Sequence, residues 1–122
     1  MPVEASEFMD SANGFMVQEG ADEIQRRNAG SRAYYALFHV ALNTIERKGQ
    51  ALIKVQGAGS HESVIATLCS MGPSAKSIGE SMGRIKRFRN DCDYNVSLAI
   101  GQKKTEMQIS EAQILIGKLG RI

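Results

Sequence analysis

The sequence predicts an all-α protein, an up-and-down bundle of four or five helices. Three observations point there. Apolar residues recur at three- and four-residue spacing through five successive segments. No stretch alternates apolar and polar residues over a useful strand length. Both prolines lie outside the long periodic segments. With 122 residues, 43% hydrophobic and 23% charged, the chain reads as one globular domain over residues 1–122, large enough for a single core.

From Ala5 to about Glu19, Phe8, Ala12, Phe15 and Met16 make an amphipathic helix, with Ser6 as N-cap and Gly20 as stop. Asp22 and Glu23 suit the positive end of a second, long helix over Ala21–Lys48, ended by Gly49. Gly30 is a weak point inside it. Tyr34, Phe38, Ala41 and Ile45 form one apolar row, and Ala33, Leu37, Val40 and Thr44 the next. Arg32, Tyr35, His39, Asn43 and Glu46 share the opposite, polar side. Residues 54–59 are a flexible connector. Ser60 caps a short helix with Val64, Ile65, Leu68 and Cys69 inward, and Gly72-Pro73 opens a fourth over about Ser74–Val96. Its Gly79 and Gly83 permit close helix approach, although each weakens the helix by up to ~1 kcal/mol. Residues 101–104 read as a basic turn, Thr105 and Gln108 as a capping box, and Met107, Ala112, Leu115 and Leu119 as the core face of the last helix. Met9 and Met16 also read as core.

The most informative stretch is Gly83 to Tyr94. It places Arg84, Lys86, Arg87 and Arg89 close together, then changes sign at Asp91 and Asp93. On a helix, Arg87 can reach Asp91 and Arg89 can reach Asp93. Ile78, Met82, Ile85, Phe88, Cys92 and Val96 share one face at about 100° per residue, and Arg89 falls inside it with Asp93 at its edge. An arginine on that face is held by a carboxylate, fixing helix or dimer register, or it lines a functional cleft. Arg84, Lys86 and Arg87 have two readings, a solvated face or a phosphate-tracking patch. Phe88 and Tyr94 either pack or stack on bases. Tyr34 reads as core, and His61 as a surface residue beside the N-cap.

A formal net charge of +2 does not by itself imply nucleic-acid binding. Cys69 and Cys92 lie in apolar helical patterns without a His or Cys at ligand spacing, so they read as buried free thiols, with no metal and no cofactor expected. The N-terminus lacks the pattern of a signal peptide, and no apolar run approaches the ~20 residues that span a bilayer. The expectation is a cytoplasmic protein without membrane contact. A nucleotide-binding regulator lacks the Gly-rich phosphate loop it would need.

The string SRAYYALFHVALNTI (Ser31 to Ile45), then GSHESV (Gly59 to Val64), then RNDCDY (Arg89 to Tyr94) before a final helix, resembles the HEPN domain family over most of the chain. These are small helical-bundle proteins of prokaryotes and their mobile elements. The resemblance implies a homodimeric bundle, often paired with a minimal nucleotidyltransferase in toxin–antitoxin systems. Many members are metal-independent ribonucleases whose motif is an Arg, a polar residue and, four to six positions on, a His, two copies facing across a dimer cleft. Carried over, the site residues are Arg89 and Asn90, with Asp93 and Tyr94 where the His is expected. No His follows His61, and a His is what moves protons at neutral pH. His39, on a row beside Arg32, is the imidazole that could substitute. Arg32, Tyr35, His39, Arg84, Lys86 and Arg87 are the expected nucleic-acid contacts. Two functions stay open: an RNA-contacting, toxin-type or degenerate ribonuclease, or a non-catalytic dimeric module that engages a protein partner such as a nucleotidyltransferase or antitoxin.

Overall fold

The computed structural model describes residues 3–16 and 22–122. It is an all-α bundle of five helices, α1 Ala5–Met16, α2 Glu23–Arg47, α3 Ser60–Cys69, α4 Pro73–Tyr94 and α5 Gln102–Leu119. Among the described residues there is no strand. The expected stop of the first helix at Glu19–Gly20 lies outside those residues. Helix α2 is the hub and packs against each of the other four; α1 otherwise meets only α5, and α3 meets only α4.

The local chemistry of α2 explains its role. Asp22 accepts from the Gln25 backbone N–H while the Gln25 side chain accepts from the Asp22 N–H, a reciprocal cap that fixes the start. Both apolar rows turn inward: Tyr34, Phe38, Ala41, Ile45, Ala33, Leu37 and Thr44 are buried, and Val40 packs half-buried against them. Gly49, at φ 69°, ends the helix in the left-handed region that favours glycine. Gly30 does not interrupt it. A Cβ there would lie 2.8 Å from Cys92 Sγ and from Phe88 Cε2, so its absence lets α2 and α4 touch.

A buried arginine the sequence reading did not single out fastens the far end of this contact. Arg27, 7% exposed, donates to the carbonyls of Asp91 (2.9 Å), Cys92 (3.0 Å), Asn95 (3.2 Å) and Leu98. Glu23 pairs with its Nε at 3.3 Å and accepts from the Ile100 N–H, while Arg26 donates to the Ile100 carbonyl. The clamp satisfies the open carbonyl end of α4 and folds residues 95–100 back. Ile100 thereby joins Phe88 and Cys92 in a small second core.

Several boundaries differ from expectation. Helix α4 ends at Tyr94, so Val96 leaves the apolar face and is 81% exposed. Ser6 lies inside α1, and Gly59, not Ser60, is the N-cap of α3. Helix α5 starts at Gln102; Thr105 is buried in its first turn with Oγ1 donating to the Gly101 carbonyl at 2.8 Å, which replaces the expected capping box. Met107 is exposed because it sits about 140° from Ala112 around the helix, whereas Ile109, Leu115 and Leu119 stay within about 60° of it. Of the two glycines in α4, only Gly79 is closely packed, with Cys69 Sγ 2.9 Å from a Cβ position; at Gly83 a Cβ would meet only Arg87 Nη1, at 4.0 Å. Both cysteines are free, Cys92 buried and Cys69 half-buried.

Candidate functional site

The site forms where the middle of α2, the first turn of α3 and the last two turns of α4 meet. Arg89 is 8% exposed, as its place in the apolar sector requires. Each nitrogen of its guanidinium has a partner within the chain. Nη1 donates to Asn90 Oδ1 at 3.1 Å and Nη2 to the Tyr35 hydroxyl. Nε lies 2.9 Å from Asp93 Oδ2, a charge contact set off the line of a hydrogen bond. Ser31 Oγ donates to the same Asp93 oxygen at 3.1 Å. The guanidinium carbon is 5.0 Å from the ring centre of Tyr35 and 5.6 Å from those of Tyr34 and Tyr94, so all three tyrosines of the chain surround it. Tyr94 is the outermost, 72% exposed.

Beneath this cage, the Tyr34 hydroxyl and His61 Nδ1 are 2.7 Å apart. Burial raises the Tyr34 pKa well above the ordinary phenol value, against the opposing pull of Arg89. Burial, then the Arg89 and Lys86 cations, lower that of His61. The two directions favour a neutral phenol and a neutral imidazole sharing one hydrogen bond. Phe38 packs on the imidazole at 4.5 Å. His39 stacks on Phe8 at 5.0 Å and lies 6.4 Å from Tyr35, which stands between this aromatic column and Arg89.

The structure thus brings together Arg89, Asn90, Asp93, Tyr94 and Tyr35 of the residues expected from the sequence. It does not bring in the basic ones. Arg32 is exposed beside a depression of about 200 Å³ shared with Val3, Glu7 and Phe8. Arg84 pairs with Glu111 of α5 at 3.5 Å, and Lys86 pairs with Glu62 of α3. Arg87 and Asp91 form no ion pair among the described residues. Arg84, Lys86, Arg87 and Asn90 do border one groove of about 460 Å³ between α3 and α4. The sequence reading placed Tyr34 in the core, where it is found, but gave no site role to it, to Ser31 or to His61, which it read as a surface residue and which is half-buried. A fully buried tyrosine hydroxyl needs a partner, and that requirement was the available signal for His61.

Cys92 is unsuited to nucleophilic work, since burial above all pushes its thiol up to about 12. Among the described residues, no three His, Cys, Asp or Glu side chains gather as metal ligands, and no helix is long and apolar enough to cross a membrane. The chain matches no known protein-family model and no curated protein significantly.

Proposed function

We propose that this chain is a degenerate HEPN-like bundle that acts by association rather than by cleavage, as a self-associating, non-catalytic module that engages a protein partner. The observation that carries this reading is the occupation of Arg89. Cleaving RNA without a metal needs a cation free to meet the developing phosphorane charge, plus a base and an acid. Here the guanidinium is spent on Asp93, Asn90 and Tyr35 at 8% exposure. Nδ1 of His61 is already engaged with the Tyr34 hydroxyl, and His39 is packed on Phe8. The same residues that would serve a nuclease motif instead tie α2 to α4.

The test is direct. Purified chain and its Arg89→Ala variant are incubated with a labelled single-stranded RNA at neutral pH with chelator present. Neither should cleave. Cleavage by the wild type that disappears in Arg89→Ala overturns the reading and restores the ribonuclease. Association is read separately by sedimentation, where a dimer is expected against a monomer mass of 13.3 kDa.

A further inference from the structure

The outward face of α4 carries a charge pattern that the bundle does not use. Lys76, Glu80, Gly83, Arg87 and Asp91 fall within about 80° of one another around the helix, at four- and three-residue steps. Lys76, Glu80 and Arg87 are exposed and Asp91 half-exposed. None of the four charges forms an ion pair among the described residues, even though Lys76–Glu80 and Arg87–Asp91 have i, i+4 spacing. Along the helix the signs run plus, minus, plus, minus, with glycine between the inner two. That order is self-complementary only when reversed. An antiparallel copy of α4, centred between Gly83 and Arg84 at the midpoint of Pro73–Tyr94, sets Glu80 against the partner's Arg87 and Lys76 against the partner's Asp91. The two-fold axis repeats both pairs, giving four opposite-sign contacts over a stripe of about 22 Å.

The steric pattern agrees. At Gly79 the neighbouring α3 already fills the space a side chain would take, whereas a Cβ at Gly83 would meet only Arg87 Nη1, at 4.0 Å. The helix is therefore bare at the point where two copies would cross most closely. Beside it, the groove of about 460 Å³ between α3 and α4, bordered by Glu62, Glu80 and Arg87, leaves room for a partner's long side chains.

We infer that this stripe is the surface on which a second copy of the chain docks, the two α4 helices crossing antiparallel at Gly83. The inference rests on the self-association proposed above and names its interface. Surface ion pairs are individually weak and screened by salt, so the dimer should weaken markedly between roughly 50 and 500 mM salt.

Sedimentation velocity at about 100 µM chain, with circular dichroism to verify folding, tests it. Gly83→Gln has room in the monomer and a better helix propensity, so it should stay folded while the dimer weakens by about tenfold or more. Glu80→Arg and Arg87→Glu should each weaken it by about tenfold, since each sets like charges together twice, and the two combined should restore most of the affinity. A dimer indifferent to Gly83→Gln and to both charge reversals overturns this interface but leaves self-association standing. A wild type that stays monomeric at low salt overturns both. If a labelled single-stranded RNA binds and Arg87→Glu abolishes that binding without altering sedimentation, the face belongs to nucleic acid and the inference fails.

Discussion

Arg27→Met should be the most damaging single substitution outside the apolar core. The guanidinium serves four carbonyls, those of Asp91, Cys92, Asn95 and Leu98, from a position only 7% exposed. Hydrogen bonds to a charged group contribute about 1.5–3 kcal/mol each, but they share one donor group and are not additive. Loss of one member of a buried charged network costs about 3–5 kcal/mol, and the favourable cation at the C-terminus of α4 adds up to about 1 kcal/mol at its last turn. Methionine fills much of the volume, so the cavity contribution is small. The expected loss is about 4 kcal/mol, a large share of the 5–15 kcal/mol typical of a domain. In urea, with m near 1.5 kcal/mol/M, the midpoint should fall by about 2–3 M. Arg27→Lys should recover only part of this, because one ammonium cannot span carbonyls on both the helix end and the loop. Amide exchange should accelerate first at residues 95–100, and the effect should be insensitive to salt. A midpoint shift corresponding to less than about 1 kcal/mol would refute the clamp.

Gly30→Ala should destabilise by about 1–3 kcal/mol despite its better helix propensity, because its Cβ would press into Phe88 and Cys92 at 2.8 Å; Gly83→Ala should instead stabilise by about 0.5–1 kcal/mol, and thermal melts of the pair separate packing from propensity. The folded pKa of His61 is lowered below its unfolded value of about 6.5. The unfolded chain therefore binds the proton first on acidification, and stability should be full above about pH 6.5 and fall below it. His61→Gln should flatten that part of a melting-temperature profile, and an unchanged slope would exclude His61 as its source. Arg89→Ala, which removes the partner of Tyr35, Asn90 and the solvent-exposed Asp93, should cost about 2–3 kcal/mol, whereas Arg89→Met with Asp93→Leu should cost less in equilibrium unfolding.

What the sequence made legible was local. The rows of α2 are buried because a 3.6-residue period survives tertiary packing, and Arg89 was found because its angle puts it among Ile85, Phe88 and Cys92. Asp93 followed from i, i+4 spacing. The rest depended on contacts between segments distant in the chain. Arg27 sits in a polar run whose one large apolar residue, Ile24, is 62% exposed and so does not mark the buried face, and its partners are carbonyls, which carry no signature in sequence. Lys86 and Arg84 looked free because Glu62 and Glu111 stand on other helices. Val96 has the right angular phase for the core, but phase has no meaning two residues past the end of the helix at Tyr94. Tyr35 was rightly placed on the polar side of α2, yet only the docking of α2 on α4 turns its hydroxyl toward Arg89.

The two buried arginines solve different problems at one contact. Ser31 and Tyr35 are four apart on α2, and Asp93 and Arg89 are four apart on α4; the first reaches the first and the second the second. Two facing pairs, each with i, i+4 spacing, can satisfy each other only when the helices run antiparallel in a single register. A slip of one turn would leave at most one of the two α2 hydroxyls facing the Arg89–Asp93 pair. It would also move the Gly30 notch away from Phe88 and Cys92, and Arg27 past the carbonyls it caps. The charged and notched contacts forbid that slip. On this view Arg89 is retained in the core side of α4 because it specifies how α2 and α4 meet, and its cage of tyrosines is a consequence of that register.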